Sequence, residues 1–312
     1  MALSKTQIIA CSQLSGMGRV RVLALADEAE KQQVELKNAA ELAEFISHCR
    51  ETKNVKNLPD YLPTEINSAL ALAEKIEDDA AKASVSILTC YSPEFPQKLK
   101  RLQKNGRDIS PLLLFVKGKS ELLIQRPSIA IIGTRNPSIS GNLYSSMFAE
   151  ILAKEGLNIV SGLALGCDTA AHKGALKAGG LTTAVLAHGL DSVYPPENKQ
   201  LAADIVENGG LLVSEYPIGI RAQINYFVER DRIQAGISDA TMIIEGDRDS
   251  GARHAIHTAL NNGRQAYCTT LSASFAESAP GTIPGLDDNV AQIISEKDLM
   301  DITKDILRNQ GK

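Results

Sequence analysis

Between Ser128 and Cys268 the chain alternates short apolar runs with amphipathic stretches, and that alternation leaves few folds open. The runs are Ser128 to Ile132, Leu157 to Gly162, Thr182 to Ala187, Leu211 to Ser214, Ala240 to Glu245 and Arg264 to Cys268. They are short, rich in branched aliphatics and closed by small residues, as strands buried on both faces are. Between them, stretches such as Leu143 to Lys154, Asp168 to Lys177 and Pro196 to Glu207 have helical spacing. Strand and helix in turn predict a mainly parallel sheet covered on both sides, a doubly wound Rossmann-like α/β domain. A chain of 312 residues with 44% hydrophobic content supports such a core and a smaller domain beside it.

In an open parallel sheet, ligands bind outside the carboxyl ends of the strands. Those ends read Gly133-Thr134-Arg135, Ser161-Gly162, His188-Gly189, Glu215-Tyr216 and Glu245-Gly246. A strand that turns through Gly133 toward a helix brings backbone N–H groups together, which suits an anion, phosphate above all. Arg135 adds a planar, bidentate cation. The spacing is not G-x-G-x-x-G, so no dinucleotide fingerprint is present. Ser250-Gly251 opens a further helix at the same rim, and Arg230 and Arg232 precede the fifth strand.

Each candidate has a plain alternative. Arg230 and Arg232 are two residues apart, so they do not share a helix face and only one is expected to reach a groove. Asp168 fits a helix cap better than a catalytic base. His172 fits a structural role, and Lys173 and Lys199 are either solvated charges or phosphate contacts. His254 and His257 are spaced for a metal, but no acidic or thiol ligand accompanies them, so no metal is expected.

The first 83 residues read as a helical domain. Within it, Leu14-Ser15-Gly16-Met17-Gly18, followed by Arg19, has the pattern of a helix–hairpin–helix module. There Gly16 and Gly18 would let amides approach a DNA backbone, and the alternative is a turn between packed helices. Residues 84–126 read as a connecting segment, 127–285 as the Rossmann-like domain and 286–312 as a C-terminal helical tail. The net charge of −4 gives no global basic signal, so nucleic-acid binding would need a local basic face. Five scattered cysteines without framework spacing point to reduced thiols and a cytoplasmic setting. Neither a leader peptide nor a membrane-length apolar run is read, so no membrane partner is expected.

Several motifs in one order resemble the DNA-processing protein A (DprA/Smf) family. They are Ile132-Gly133-Thr134-Arg135-Asn136-Pro137, Val160 to His172 (VSGLALGCDTAAH), Gly189 to Asn198 (GLDSVYPPEN) and Leu212 to Pro217 (LVSEYP). The resemblance implies a single-stranded DNA-binding protein with a Rossmann-like groove that dimerises and passes DNA to a RecA-type recombinase in natural transformation. Neither catalysis nor a cofactor is implied. By position it places Gly133, Thr134, Arg135, Ser161 and Gly162 on a phosphate-contacting floor. Lys173, Lys199, Arg230, Arg232, Ser250 and Gly251 would support it.

The chain departs from the family pattern at Phe227-Val228-Glu229-Arg230-Asp231-Arg232, where Phe-Pro-x-Arg-Asn-Arg is usual. It departs again at Ser250-Gly251-Ala252-Arg253 and at Cys268-Thr269-Thr270. The carboxylates of Glu229 and Asp231 are expected to weaken attraction to DNA. Two other readings compete. One is a nucleotide sensor or phosphoribohydrolase-like enzyme, although the glycine pair and glutamate of such enzymes are missing after the fifth strand. The other is an interaction protein with a vestigial groove.

Overall fold

The computed structural model describes residues 3–246, 252–269, 290–293 and 296–309. The chain divides into two units, residues 1–93 with 111–114, and residues 94–110 with 115–312. The connecting stretch 84–126 is thus shared between them.

The first unit holds α1 (Lys5–Gln13), α2 (Arg19–Lys31), α3 (Ala39–Glu51), α4 (Pro63–Lys82) and β1 (Ser86–Thr89). Ser4 starts α1 through a capping box with Gln7, and the Asn38 side chain accepts from the Glu41 amide at 3.0 Å to start α3. Ile8, Val22, Leu25, Leu42 and Ile66 are fully buried and form the core. The expected hairpin lies between α1 and α2, with Gly18 at the N-cap of α2. It is held from within the unit, since the Tyr61 hydroxyl donates to the Ser15 carbonyl at 2.6 Å. The Arg19 guanidinium donates to the Pro111 carbonyl at 3.0 Å.

The second unit carries the sheet. A small antiparallel hairpin, β2 (Gln103–Lys104) with β3 (Arg107–Asp108), is followed by β4 (Leu113–Gly118), a strand that spans the division, and by the short helix α5 (Leu122–Gln125). The alternation then runs β5 (Ser128–Ile132), α6 (Ile139–Lys154), β6 (Asn158–Ser161), α7 (Cys167–Lys177) and β7 (Thr182–Leu186). It continues with α8 (Lys199–Glu207), β8 (Leu211–Ser214), α9 (Ile224–Ile237) and β9 (Ala240–Ile243). The last elements are α10 (Ala252–Asn261), β10 (Gln265–Thr269), β11 (Val290–Ile293) and α11 (Glu296–Asn309).

The strand order from β4 is β4-β8-β7-β6-β5-β9-β10-β11. β4 runs antiparallel to β8, and the remaining pairs are parallel. The order reverses at β5, which makes the gap between β5 and β9 the topological switch point. The expected doubly wound α/β fold is therefore present. β11 is an addition, a parallel strand inside the tail for which only a helix was expected. Its sequence, Val-Ala-Gln-Ile, lacks the continuous apolar run by which the other four-residue strands are recognised.

Side chains of β5 alternate between two layers. Ile129 and Ile131 pack with Phe148 and Leu152 of α6, Ala171 of α7, and Leu299, Ile302 and Ile306 of α11. Ile132 packs with Ala235 of α9 and with Ala255, Ile256 and Ala259 of α10. Residues 94–110 join this unit through polar ties to α9 and its surroundings. Lys98 pairs with Asp239, whose other carboxylate oxygen accepts from the Ser128 amide at 2.9 Å. Arg264 donates to the Lys98 carbonyl at 2.8 Å.

Candidate nucleic-acid interface

The loop after β5 is fixed by its neighbours. The Thr134 amide donates to the Glu245 carbonyl at 2.7 Å, and the Thr134 carbonyl accepts from the Cys167 amide at 3.1 Å. A Cβ at Gly133 would lie 2.5 Å from the Cys167 sulfur, so only glycine allows this approach. Arg135 then leaves the loop exposed, with its guanidinium carbon 4.8 Å above the centre of the Phe227 ring. A cation at that distance is attracted by the ring face.

Beside this stack lies a cavity of about 480 Å³, lined by Gly133, Thr134, Arg135, Asp168, Tyr194, Phe227, Arg230 and Asp231, among others. Tyr194 packs on Phe227 with ring centres 5.8 Å apart, and the outer edge carries Ile224, 90% exposed. A second hollow of about 320 Å³ shares Tyr194, Ile224 and Phe227 and adds the exposed Arg221. In the sequence Phe227 and Tyr194 stand out only as members of the family motifs. Arg221 was missed, because a lone arginine in an irregular loop carries no pattern.

The interior accounts for several residues expected to contact phosphate. The Ser161 hydroxyl is fully buried and donates to the Ile131 carbonyl at 2.6 Å. The Gly162 amide donates to the Asp168 carboxylate at 3.1 Å, and the Ala164 amide reaches the same oxygen at 3.4 Å. Asp168 therefore organises its own loop, while Gly166 takes the N-cap of α7. Burial raises its proton affinity, and Arg230 with these amides opposes the rise.

Arg230 is 5% exposed and donates to the Val185 carbonyl at 2.7 Å. Its Nε lies 3.2 Å from Asp231, and Gln234, oriented with its amide oxygen inward, accepts from Nε at 3.0 Å. Arg232 pairs with Glu215. Arg230 thus lines the cavity while bonded to the protein's own groups, and Arg232, outside that lining, is paired with Glu215, so one of the two reaches the cavity. Lys173 and Lys199 are exposed on α7 and α8, away from the cavity lining. Ser250 and Gly251 lie outside the described residues.

The switch point itself is filled. The Glu245 carboxylate accepts from the Ser138 amide at 3.0 Å and from the Ser138 hydroxyl at 2.9 Å, at the start of α6. The anion at that helix N-terminus is the protein's own side chain. Sequence reading placed Glu245 at a strand end but could not show which way it turns.

The departures have structural partners. Glu229 accepts from the Tyr216 hydroxyl at 2.8 Å, and Tyr216 stacks on Tyr226 with centres 4.2 Å apart. Asp231 is 13% exposed, and burial pushes its carboxyl up to about 7, with Asp168 adding to the rise and Arg230 and Arg135 opposing it. His172 is fully buried, bonded to Thr182 at 2.7 Å, and burial drives it down to about 3. Among the described residues no group of His, Cys, Asp and Glu could hold a metal ion, and no helix is long and apolar enough to cross a membrane.

A doubly wound sheet with an arginine-on-aromatic stack beside a cavity at the strand ends defines a Rossmann-like module with a candidate binding groove. Residues 86–306 match the model of the DNA recombination-mediator protein A family, and the chain belongs to that family. Protein Smf of Synechocystis sp. is 35% identical over 216 residues, covering 68% of this chain and 52% of that protein. The chain thus spans about half that relative's length. The crystal structure of DNA processing protein A from Streptococcus pneumoniae superposes with a TM-score of 0.72 at 27% identity, covering 96% of this chain and 98% of that one. DNA processing protein A of Helicobacter pylori, whose structure concerns its single-stranded DNA binding mode, gives a TM-score of 0.57 at 25% identity. It covers 72% of this chain and 96% of that one.

Proposed function

We propose that the rim around Arg135 binds single-stranded DNA and that the protein is a non-catalytic recombination mediator. In this reading it acts as a cytoplasmic homodimer that delivers the strand to a RecA-type recombinase during DNA uptake. Family membership and the DNA-binding relative support the class of ligand. The observation that carries the reading is the Arg135 guanidinium 4.8 Å over Phe227 at the cavity edge. A cation and an aromatic face side by side suit a phosphate and its base together.

Gly133 and Thr134 shape that contact, Arg221 adds positive charge in the adjoining hollow, and Lys173 and Lys199, outside the cavity lining, are candidate contacts for a longer strand. Ser161, Gly162, Arg230 and Arg232 act indirectly, by holding the loops and α9. Gly16, Gly18 and Arg19 form a separate candidate contact in the helical unit. A nucleotide-binding role is less well supported, because the Glu245 carboxylate sits where a nucleotide phosphate would meet α6. Fluorescence anisotropy with labelled oligo(dT) tests the proposal. Binding that weakens with salt is expected, and no binding at low salt would refute it.

A further inference from the structure

A buried carboxylate, a mostly buried one and a buried guanidinium line the cavity together. Asp168 comes from α7, and Arg230 and Asp231 come from α9, while Arg135 enters from the loop after β5. Asp168 is held by two backbone amides, at 3.1 and 3.4 Å. Arg230 is shared among the Val185 carbonyl, Gln234 and Asp231. With one internal cation for two acids, this cluster carries a net negative charge when both acids are ionised. That charge faces the space next to the residue proposed to meet DNA phosphate.

We infer that Asp231 is the affinity-setting residue of the groove. Ionised, it attracts Arg135 and repels a phosphate strand, and protonated, it leaves Arg135 to the DNA. The inference rests on the reading of this rim as a DNA site. Asp231 is suited to the role because its carboxyl, unlike that of Asp168, gains no backbone N–H bond in the described contacts. Burial and the neighbouring Asp168 push it up to about 7, against Arg230 and Arg135. The other titratable groups nearby do not compete with it. Burial holds His172 and His188 on the neutral side at neutral pH. Glu229 and Glu215 are engaged by Tyr216 and Arg232.

The test is the affinity of oligo(dT) for the wild-type protein and for Asp231→Asn, read by anisotropy from about pH 5.5 to about pH 8.5. The wild type is expected to weaken by about three- to tenfold as pH rises, and by no more than about tenfold per pH unit, since one proton is linked. Asp231→Asn is expected to keep the tighter affinity throughout. Parallel pH profiles for the two proteins would overturn the inference while leaving the DNA reading intact. Absence of binding by both proteins at every pH would overturn the DNA reading and the inference with it. A carboxyl-carbon NMR titration of the wild type gives a check that needs no variant. A midpoint near neutrality supports the role, and one in the ordinary carboxylate range of about 4 overturns it.

Discussion

Gly162 lies directly against Arg230: a Cβ at position 162 would fall 1.5 Å from the guanidinium Nη1. The glycine after the second strand of the alternation is therefore a window for a buried cation, rather than a donor on a phosphate floor. Its own amide is bonded to Asp168.

Gly162→Ala is expected to displace Arg230 and to lower stability by roughly 2–4 kcal/mol, as overpacking combined with a disturbed buried ion pair. Arg230→Ala should cost more, roughly 3–5 kcal/mol, because it leaves Asp168 and Asp231 without their cation. Thermal unfolding reads both. An Arg230→Ala protein with the wild-type melting temperature but no DNA binding would instead make Arg230 a direct contact.

Arg135→Ala and Phe227→Ala should leave the fold intact and weaken oligo(dT) binding. Loss of a base-stacking platform costs about 1–3 kcal/mol, or roughly five- to 150-fold in affinity. Arg135→Ala should also reduce the slope of log affinity against log salt by about 0.7, the share of one phosphate contact on a single strand. A salt titration of the three proteins decides whether Arg135 meets phosphate or only shapes the cavity.

Glu245→Ala removes the acceptor for the Ser138 amide and hydroxyl at the start of α6. A loss of about 0.5–1.5 kcal/mol in urea unfolding is expected, the net scale of an exposed hydrogen bond whose acceptor water replaces. If the vacated place then accepted inorganic phosphate, ligand-dependent stabilisation would appear in the variant and not in the wild type.

Stability itself should depend on Asp231. Its carboxyl is raised to about 7 in the folded protein, against about 3.9 in an unfolded chain. Between those values the folded state holds the extra proton. The stabilisation is complete below the unfolded value and is lost as pH rises through about 7. The wild type should therefore melt at a lower temperature at pH 8 than at pH 6, and Asp231→Asn should show a smaller difference.

How far the sequence reaches differs between the fold and the site. Ile129 and Ile131 facing one helical layer, and Ile132 the other, follow from strand alternation, and the apolar runs were legible because both faces of a parallel strand are buried. Gly133-Thr134-Arg135 was legible as a strand end facing the ligand side. The short β11 was not, and the assignment of 94–110 to the sheet unit rests on contacts such as Lys98 with Asp239, distant along the chain.

The sequence by itself determined the layered α/β architecture and the family, because both are written in local periodicity and in contiguous motifs. Only the tertiary structure decided which polar groups are left for a ligand. Ser161, Gly162, Arg230 and Arg232 look like Gly133 and Arg135 in the sequence, small residues at a strand end or arginines on a neighbouring segment. Burial gives the first four partners inside the protein, Ile131, Asp168, Val185 and Glu215 respectively. A buried polar group must be satisfied wherever the fold places it, and that place is set by packing between segments far apart in the chain. Arg135 stays exposed on Phe227, and with the exposed Arg221 of the adjoining hollow it leaves positive charge open to a ligand.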